Sequence, residues 1–120
     1  MLGGEALKLV NLGNDRVIAA NVNQAYSFFK RLKGLMFTKK LPIGDGLHIK
    51  PCPSVHTYFM NYAIDILYIN KDNQVVAIDE ALAPGKVGKR YKGAHSVVEL
   101  SAGTVKRSET KVGQKMKFIK

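Results

Sequence analysis

The chain has 120 residues, 46% of them hydrophobic, with one cysteine and a formal net charge of +10 at pH 7. That length predicts one domain over residues 1–120 with enough apolar sequence for a real core, and it excludes a disulfide-built scaffold. The most apolar run, residues 64–69, is too short for a membrane-spanning helix, which needs about 20 apolar residues.

Residues 5–10 alternate loosely and predict a first strand; Asn11-Leu12-Gly13-Asn14-Asp15 predicts a turn, and residues 16–22 a second strand closing a hairpin. Asn23 then reads as a helix N-cap. Ala25, Phe28, Phe29, Leu32 and Leu35 or Met36 recur at three- and four-residue spacing, which predicts an amphipathic helix over about 24–34. Gly34 suits its C-terminal end, and Lys30, Arg31 and Lys33 suit the negative end of its dipole. Pro42-Ile43-Gly44-Asp45-Gly46 is a turn. Leu47 and Ile49, then Val55, Thr57 and Phe59, predict short strands interrupted by Pro51 and Pro53.

Residues 64–69 and 74–79 predict a hairpin around Asn70-Lys71-Asp72-Asn73, and residues 83–89 a glycine-containing loop. Residues 96–100 form a strand, Ser101 caps a short helical turn near 101–107, and residues 115–119 close the fold as a last strand. The expected class is mainly β: a β-sandwich or a partly open β-barrel with one amphipathic helix.

The basic residues fall into three groups: Lys30, Arg31, Lys33, Lys39 and Lys40; Lys86, Lys89, Arg90 and Lys92; and Lys106, Arg107, Lys111, Lys115, Lys117 and Lys120. Such a field attracts polyanions weakly, whereas base reading favours arginine, which lysine outnumbers here. A lone cysteine points to a reducing compartment, and Met1-Leu2-Gly3-Gly4-Glu5 lacks the features of a signal peptide, so the expectation is a cytoplasmic monomer.

The chemistry-bearing residues gather in Pro51-Cys52-Pro53-Ser54-Val55-His56-Thr57-Tyr58-Phe59-Met60 and in Ile64-Asp65-Ile66. His48, Cys52 and His56 recur every four residues, which on a helix would align three metal ligands; the two prolines exclude that helix, so no metal is expected. Cys52 with His56 could form a thiolate–imidazolium pair, although a free cysteine is more often a buried thiol.

Alternation puts Asp65 on one face with Leu67 and Ile69, where a carboxylate needs a partner. The candidates are Arg31, the Thr57 hydroxyl or amides of the proline-rich loop. The expected pocket comprises Arg31, Cys52, His56, Met60 and Asp65. Tyr58, Phe59, Tyr62 and Tyr68 could stack bases, but alternation sends Tyr58 and Phe59 to opposite faces. Gly85-Lys86-Val87-Gly88-Lys89 lacks the Ser or Thr that a phosphate loop needs, and no cofactor is expected.

Several motifs together resemble domain-of-unknown-function family 192. They are Arg31-x-x-Gly34-Leu35-Met36, Gly46-Leu47-His48-Ile49, Pro51-Cys52-x-Ser54-Val55-His56-Thr57-x-Phe59-Met60, Ile64-Asp65, Val98-Glu99-Leu100-x-Ala102-Gly103 and Gly113. The resemblance implies a compact, mainly β fold with one helix and brings no established activity. Many relatives carry a tryptophan before the methionine and Pro-Leu-Asp before the strand, where this chain has Phe59 and Ala63-Ile64-Asp65.

Three readings remain open on these residues. One is a non-enzymatic module binding a small ligand or a protein in a shallow pocket, with Arg31 as donor, Asp65 as acceptor and His56 orienting. Another is an enzyme using Cys52 as nucleophile or His56 with Asp65 as an acid–base pair. The last is non-specific nucleic-acid binding through the basic surface.

Overall fold

The computed structural model describes residues 6–120 except Met36, Phe37, Pro53, Tyr58 and Phe59, with backbone only for Phe28, Phe29 and Leu32. The elements are β1 (Leu7–Asn11), β2 (Arg16–Ala25), α1 (Phe28–Lys33), β3 (Asp45–Ile49), β4 (Ile64–Ile69), β5 (Val75–Leu82), β6 (Ser96–Ser101), α2 (Thr104–Arg107) and β7 (Met116–Ile119). All seven strands join one mixed sheet in the order β5-β4-β6-β3-β2-β1-β7. Of the two expected architectures, this is the partly open barrel. The β2–β3 pairing is parallel, Asn21 against Asp45 through Ala25 against Ile49, and the other ladders are antiparallel.

The sheet curls because its two edge strands meet at one end. Amide–carbonyl bonds run from Val75 to Gln114, from Gly113 to Val75 and from Met116 to Asn73, and Gln74 bridges Lys115. Curling leaves a core on each face. One contains Leu9, Ile18, Val22, Leu67, Ile69, Val98, Leu100, Val105 and Met116. The other contains Leu35, Leu47, Ile49, Val55, Met60, Ile64, Ile66, Tyr68 and Val97. Every residue of β4 and β6 is buried, so these strands read as nearly continuous apolar runs. Burial at roughly 25 cal/mol per Å² of apolar surface makes the two cores the main source of stability.

The helix starts later than the spacing predicts. β2 continues to Ala25, because Asn23 and Gln24 lie in the ladder opposite Leu47 and His48, and Ser27 caps α1 by accepting from the Lys30 amide. Gly34 ends α1 at φ +51°, ψ −128°, its amide bonded to the Lys30 carbonyl. Of the strand expected around Val55, Thr57 and Phe59, only the isolated His56–Val87 bridge forms; Phe59 lies outside the described residues.

The short helix near 101–107 is α2, but the cap predicted at Ser101 is a hydroxyl–hydroxyl bond from Ser101 to Thr104. Asp65 does the capping: its Oδ2 accepts from the amides of Gly103 and Val105, 3.1 and 2.9 Å away. Its Oδ1 accepts from Ala81, 2.8 Å away, at a left-handed residue in the β5 irregularity opposite β4. No helix among the described residues is long and apolar enough to cross a membrane.

Candidate functional site

The segment after β3 is placed by a loop far along the chain. The Cys52 amide bonds the His95 carbonyl, and the Gly88 amide bonds the Val55 carbonyl. Buried Thr57 bonds both the amide and carbonyl of Lys86 and donates its hydroxyl to the Ala83 carbonyl. Gly88 allows this stitching because a Cβ there would stand 2.7 Å from the Tyr68 hydroxyl. That hydroxyl donates to Asp79, as does the Tyr91 hydroxyl, so a single carboxylate clamps β4, β5 and the loop together.

Between this segment, α1 and the sheet lies a small pocket of about 60 Å³, lined by Arg31, Gly34, Cys52, His56 and Glu99 among others. Arg31 projects from α1, its Nη1 held 2.8 Å from the Tyr26 carbonyl. Glu99 comes up from β6 beneath it, on the same sheet face as its ladder partner Leu47. Glu99 is only 3% exposed, and its Oε1 has no hydrogen-bond partner among the described residues. Burial pushes its carboxyl up to about 8, which favours the protonated, neutral form near pH 7. Gly34 lines the pocket beside this oxygen, and a Cβ there would lie 3.7 Å from Oε1, in ordinary van der Waals contact.

Cys52 is a thiol rather than a thiolate. Burial is the largest influence and raises its pKa, the Ser54 carbonyl accepts its S–H, and the opposing charges of Glu99 and Arg31 are smaller effects. That leaves the nucleophile without its reactive form near neutral pH.

Of the five residues expected to share a pocket, Arg31, Cys52 and His56 line this one. Met60 is buried in the core beside the pocket and does not line it. Asp65 lies on the other sheet face, opposite Leu100, and none of its three amide partners is one of those predicted. The acceptor that lines Arg31's pocket is Glu99, which is not among the five residues expected there. Its signal was available: a carboxylate inside Val97-Val98-Glu99-Leu100 has the same pattern that singled out Asp65.

His48 also faces away from the pocket. Its ring stacks on Phe118, its Nδ1 meets the Tyr26 hydroxyl at 2.7 Å and its Nε2 the Ser96 hydroxyl at 2.9 Å. Burial, then the charges of Lys50 and His95, lower its pKa to about 4. His48, Cys52 and His56 therefore do not converge, and no group of three metal-ligating side chains is gathered among the described residues. Of the four aromatics considered as a stacking platform, Tyr68 is buried and Tyr62 bonds Thr38; Tyr58 and Phe59 lie outside the described residues.

Residues 9–118 match the family described as Uncharacterized ACR, domain-of-unknown-function family 192. The chain belongs to this family. Within it, the chain is similar to the UPF0127 protein of Pyrococcus furiosus, 28% identical over 92% of this chain and 97% of that protein. A UPF0127 protein of Thermococcus sibiricus is 27% identical over 90% of this chain and 72% of its own length.

Two solved structures share the fold. One, a Sinorhizobium meliloti protein given as a candidate transcription regulator, has a TM-score of 0.82 at 22% identity, covering 95% of this chain and 92% of its own. The other, a protein of unknown function from Novosphingobium aromaticivorans, has a TM-score of 0.79 at 20% identity, covering 93% and 83%. The family and the fold thus carry no activity with them, and any function must be argued from the site.

Proposed function

We propose that the protein is a non-enzymatic binding module whose pocket takes the polar end of a small ligand. The single observation behind this reading is Glu99, which lines a pocket shared with Arg31 and whose buried Oε1 has no partner among the described residues. A buried polar atom left unsatisfied costs about 1–3 kcal/mol, a cost that a ligand donor would remove. The best match is an ammonium group, whose positive charge favours the ionised carboxyl, so that Glu99 releases its proton to solvent on binding and pairs as a carboxylate. Arg31 then faces an acceptor or carboxylate on the same ligand, and His56 orients it. A volume of about 60 Å³ suits the head of a ligand, since one water occupies about 30 Å³ of liquid, and it excludes a nucleotide.

Isothermal titration calorimetry with ethylamine, glycine, β-alanine and acetate, each in two buffers of different ionisation heat, tests this. The expectation is binding of the amine-bearing probes with proton release, abolished by Glu99→Gln. Arg31→Ala should weaken glycine and β-alanine but not ethylamine. Binding of none of the four, or binding unchanged in Glu99→Gln, contradicts the reading.

A second reading, weak polyanion binding, is favoured by the net charge of +10 and by the exposure of Lys86, Lys89, Arg90 and Lys92. The description of the Sinorhizobium neighbour as a candidate regulator is compatible with it. Sequence-independent, salt-sensitive retention on nucleic acid is its test.

A further inference from the structure

Strand β2 has ten residues, but its two neighbours cover different halves. β1 pairs with residues 16–22, whereas β3 pairs only with residues 21–25. Along residues 16–20, the side turned away from β1 has no strand beside it among the described residues. The chain before β3 turns off at Gly44, with the Asp45 amide closing onto the Pro42 carbonyl. Across the gap β6 ends at Ser101 and gives way to α2, which Asp65 pins by its first amides. A groove of about 440 Å³ is left, running from residues 16–20 of β2 to Thr104 and Arg107 of α2, with Ile43 also lining it.

This groove has the features of a strand-addition site. An open strand edge offers backbone N–H and C=O groups to any extended chain laid beside it. Five residues of edge span about 16 Å, enough for a short strand. Val17 and Ile43 line the groove and remain 53% and 75% exposed, apolar surface that a partner's alternate side chains would cover. The charge is one-sided, because Arg16 and Arg107 line the groove and no acidic residue does. Glu109, outside the lining, pairs with Arg16. A second copy of the chain would bring arginine against arginine and +10 against +10.

We infer that this groove docks an extended, acidic segment of a partner protein, added as a short strand beside residues 16–20 and in line with β3. The inference is independent of the Glu99 pocket, which lies on the opposite side of the sheet from α2.

The test is fluorescence anisotropy of the full chain with a labelled synthetic peptide of alternating valine and glutamate. Two further versions carry N-methyl groups on one or the other alternate set of amides. The expected result is saturable binding of the unmodified peptide, weakened about tenfold by one of the two methylated sets. Arg107→Glu and Ile43→Asp, both at exposed side chains, should each weaken binding by about as much while leaving the circular dichroism spectrum unchanged.

The inference is overturned if both methylated peptides bind as tightly as the unmodified one, or if Arg107→Glu binds like the wild type. It is also overturned by an absence of saturable binding up to about 1 mM. Displacement of the peptide by an equally charged RNA at equal affinity overturns it, as does a dimer in sedimentation that the peptide dissociates.

Discussion

Glu99 and His48 lie on adjacent strands but on opposite faces, and their buried side chains pull stability in opposite directions as pH changes. Glu99 has its folded pKa raised to about 8 from an ordinary 4.5, so the native state keeps a proton that the unfolded chain releases. Its contribution is complete below about 4.5 and is lost as pH rises towards 8. His48 has its pKa lowered to about 4 from 6.5, so its contribution is complete above about 6.5 and is lost as pH falls towards 4.

Between about 4.5 and 6.5 the two effects offset one another. Thermal melts should therefore give a nearly flat Tm over that range and a falling Tm from there to about pH 8. Glu99→Gln should abolish the upper fall and expose a rise from pH 4 to 6.5. A wild-type Tm that climbs through neutrality would contradict the Glu99 assignment. Cys52, held as a thiol by burial, should alkylate at least about tenfold more slowly than free cysteine at neutral pH, and Cys52→Ser should leave the Tm within a few degrees. Rapid alkylation would revive the nucleophile reading.

At the scale of elements, Asp65 is the joint between β4, the β5 irregularity and α2. Removing a buried carboxylate that accepts three amides leaves those donors unpaired, so Asp65→Ala should cost about 3–5 kcal/mol in urea unfolding. Amide exchange should accelerate first at Gly103 and Val105, and protection unchanged there would refute the capping role.

The comparison between Asp65 and Glu99 also defines what sequence alone can give. Alternation located the strands of the 64–79 hairpin and correctly put Asp65 on the Leu67 and Ile69 face. It could not say that the pocket lies on the other face, because that depends on the loop at 83–95 folding back over residues 52–57. The start of α1 at Phe28, later than the spacing predicts, has a related reason. Asn23 has the chemistry of a cap, but the parallel ladder to β3, formed with residues more than twenty positions later, holds it in a strand. Arg31, Cys52 and His56 were legible because local spacing and composition mark them, whereas the acceptor of the site required long-range pairing.

Across the whole molecule, the described residues form a curled sheet whose edges meet at β5 and β7, with openings of different chemistry at the small pocket over Glu99 and at the arginine-lined groove beside β2. The net charge of +10 sets a field that attracts anionic groups, which bears on the arginine-lined groove rather than on the proposed amine pocket. If polyanion attraction is only this general field, retention on single-stranded DNA should be indifferent to sequence and should vanish at moderate salt. Sequence-dependent retention that survives high salt would instead demand a specific nucleic-acid site.

The proposed binding role depends on Glu99 staying a neutral acid until a ligand reaches it. Difference infrared spectroscopy of the wild type against Glu99→Gln reads that state directly. The prediction is a protonated-carboxyl carbonyl band that persists at pH 7, titrates near about 8 and disappears when an amine-bearing probe fills the pocket. A Glu99 already ionised by about pH 6, or a band indifferent to every amine probe offered, would contradict it.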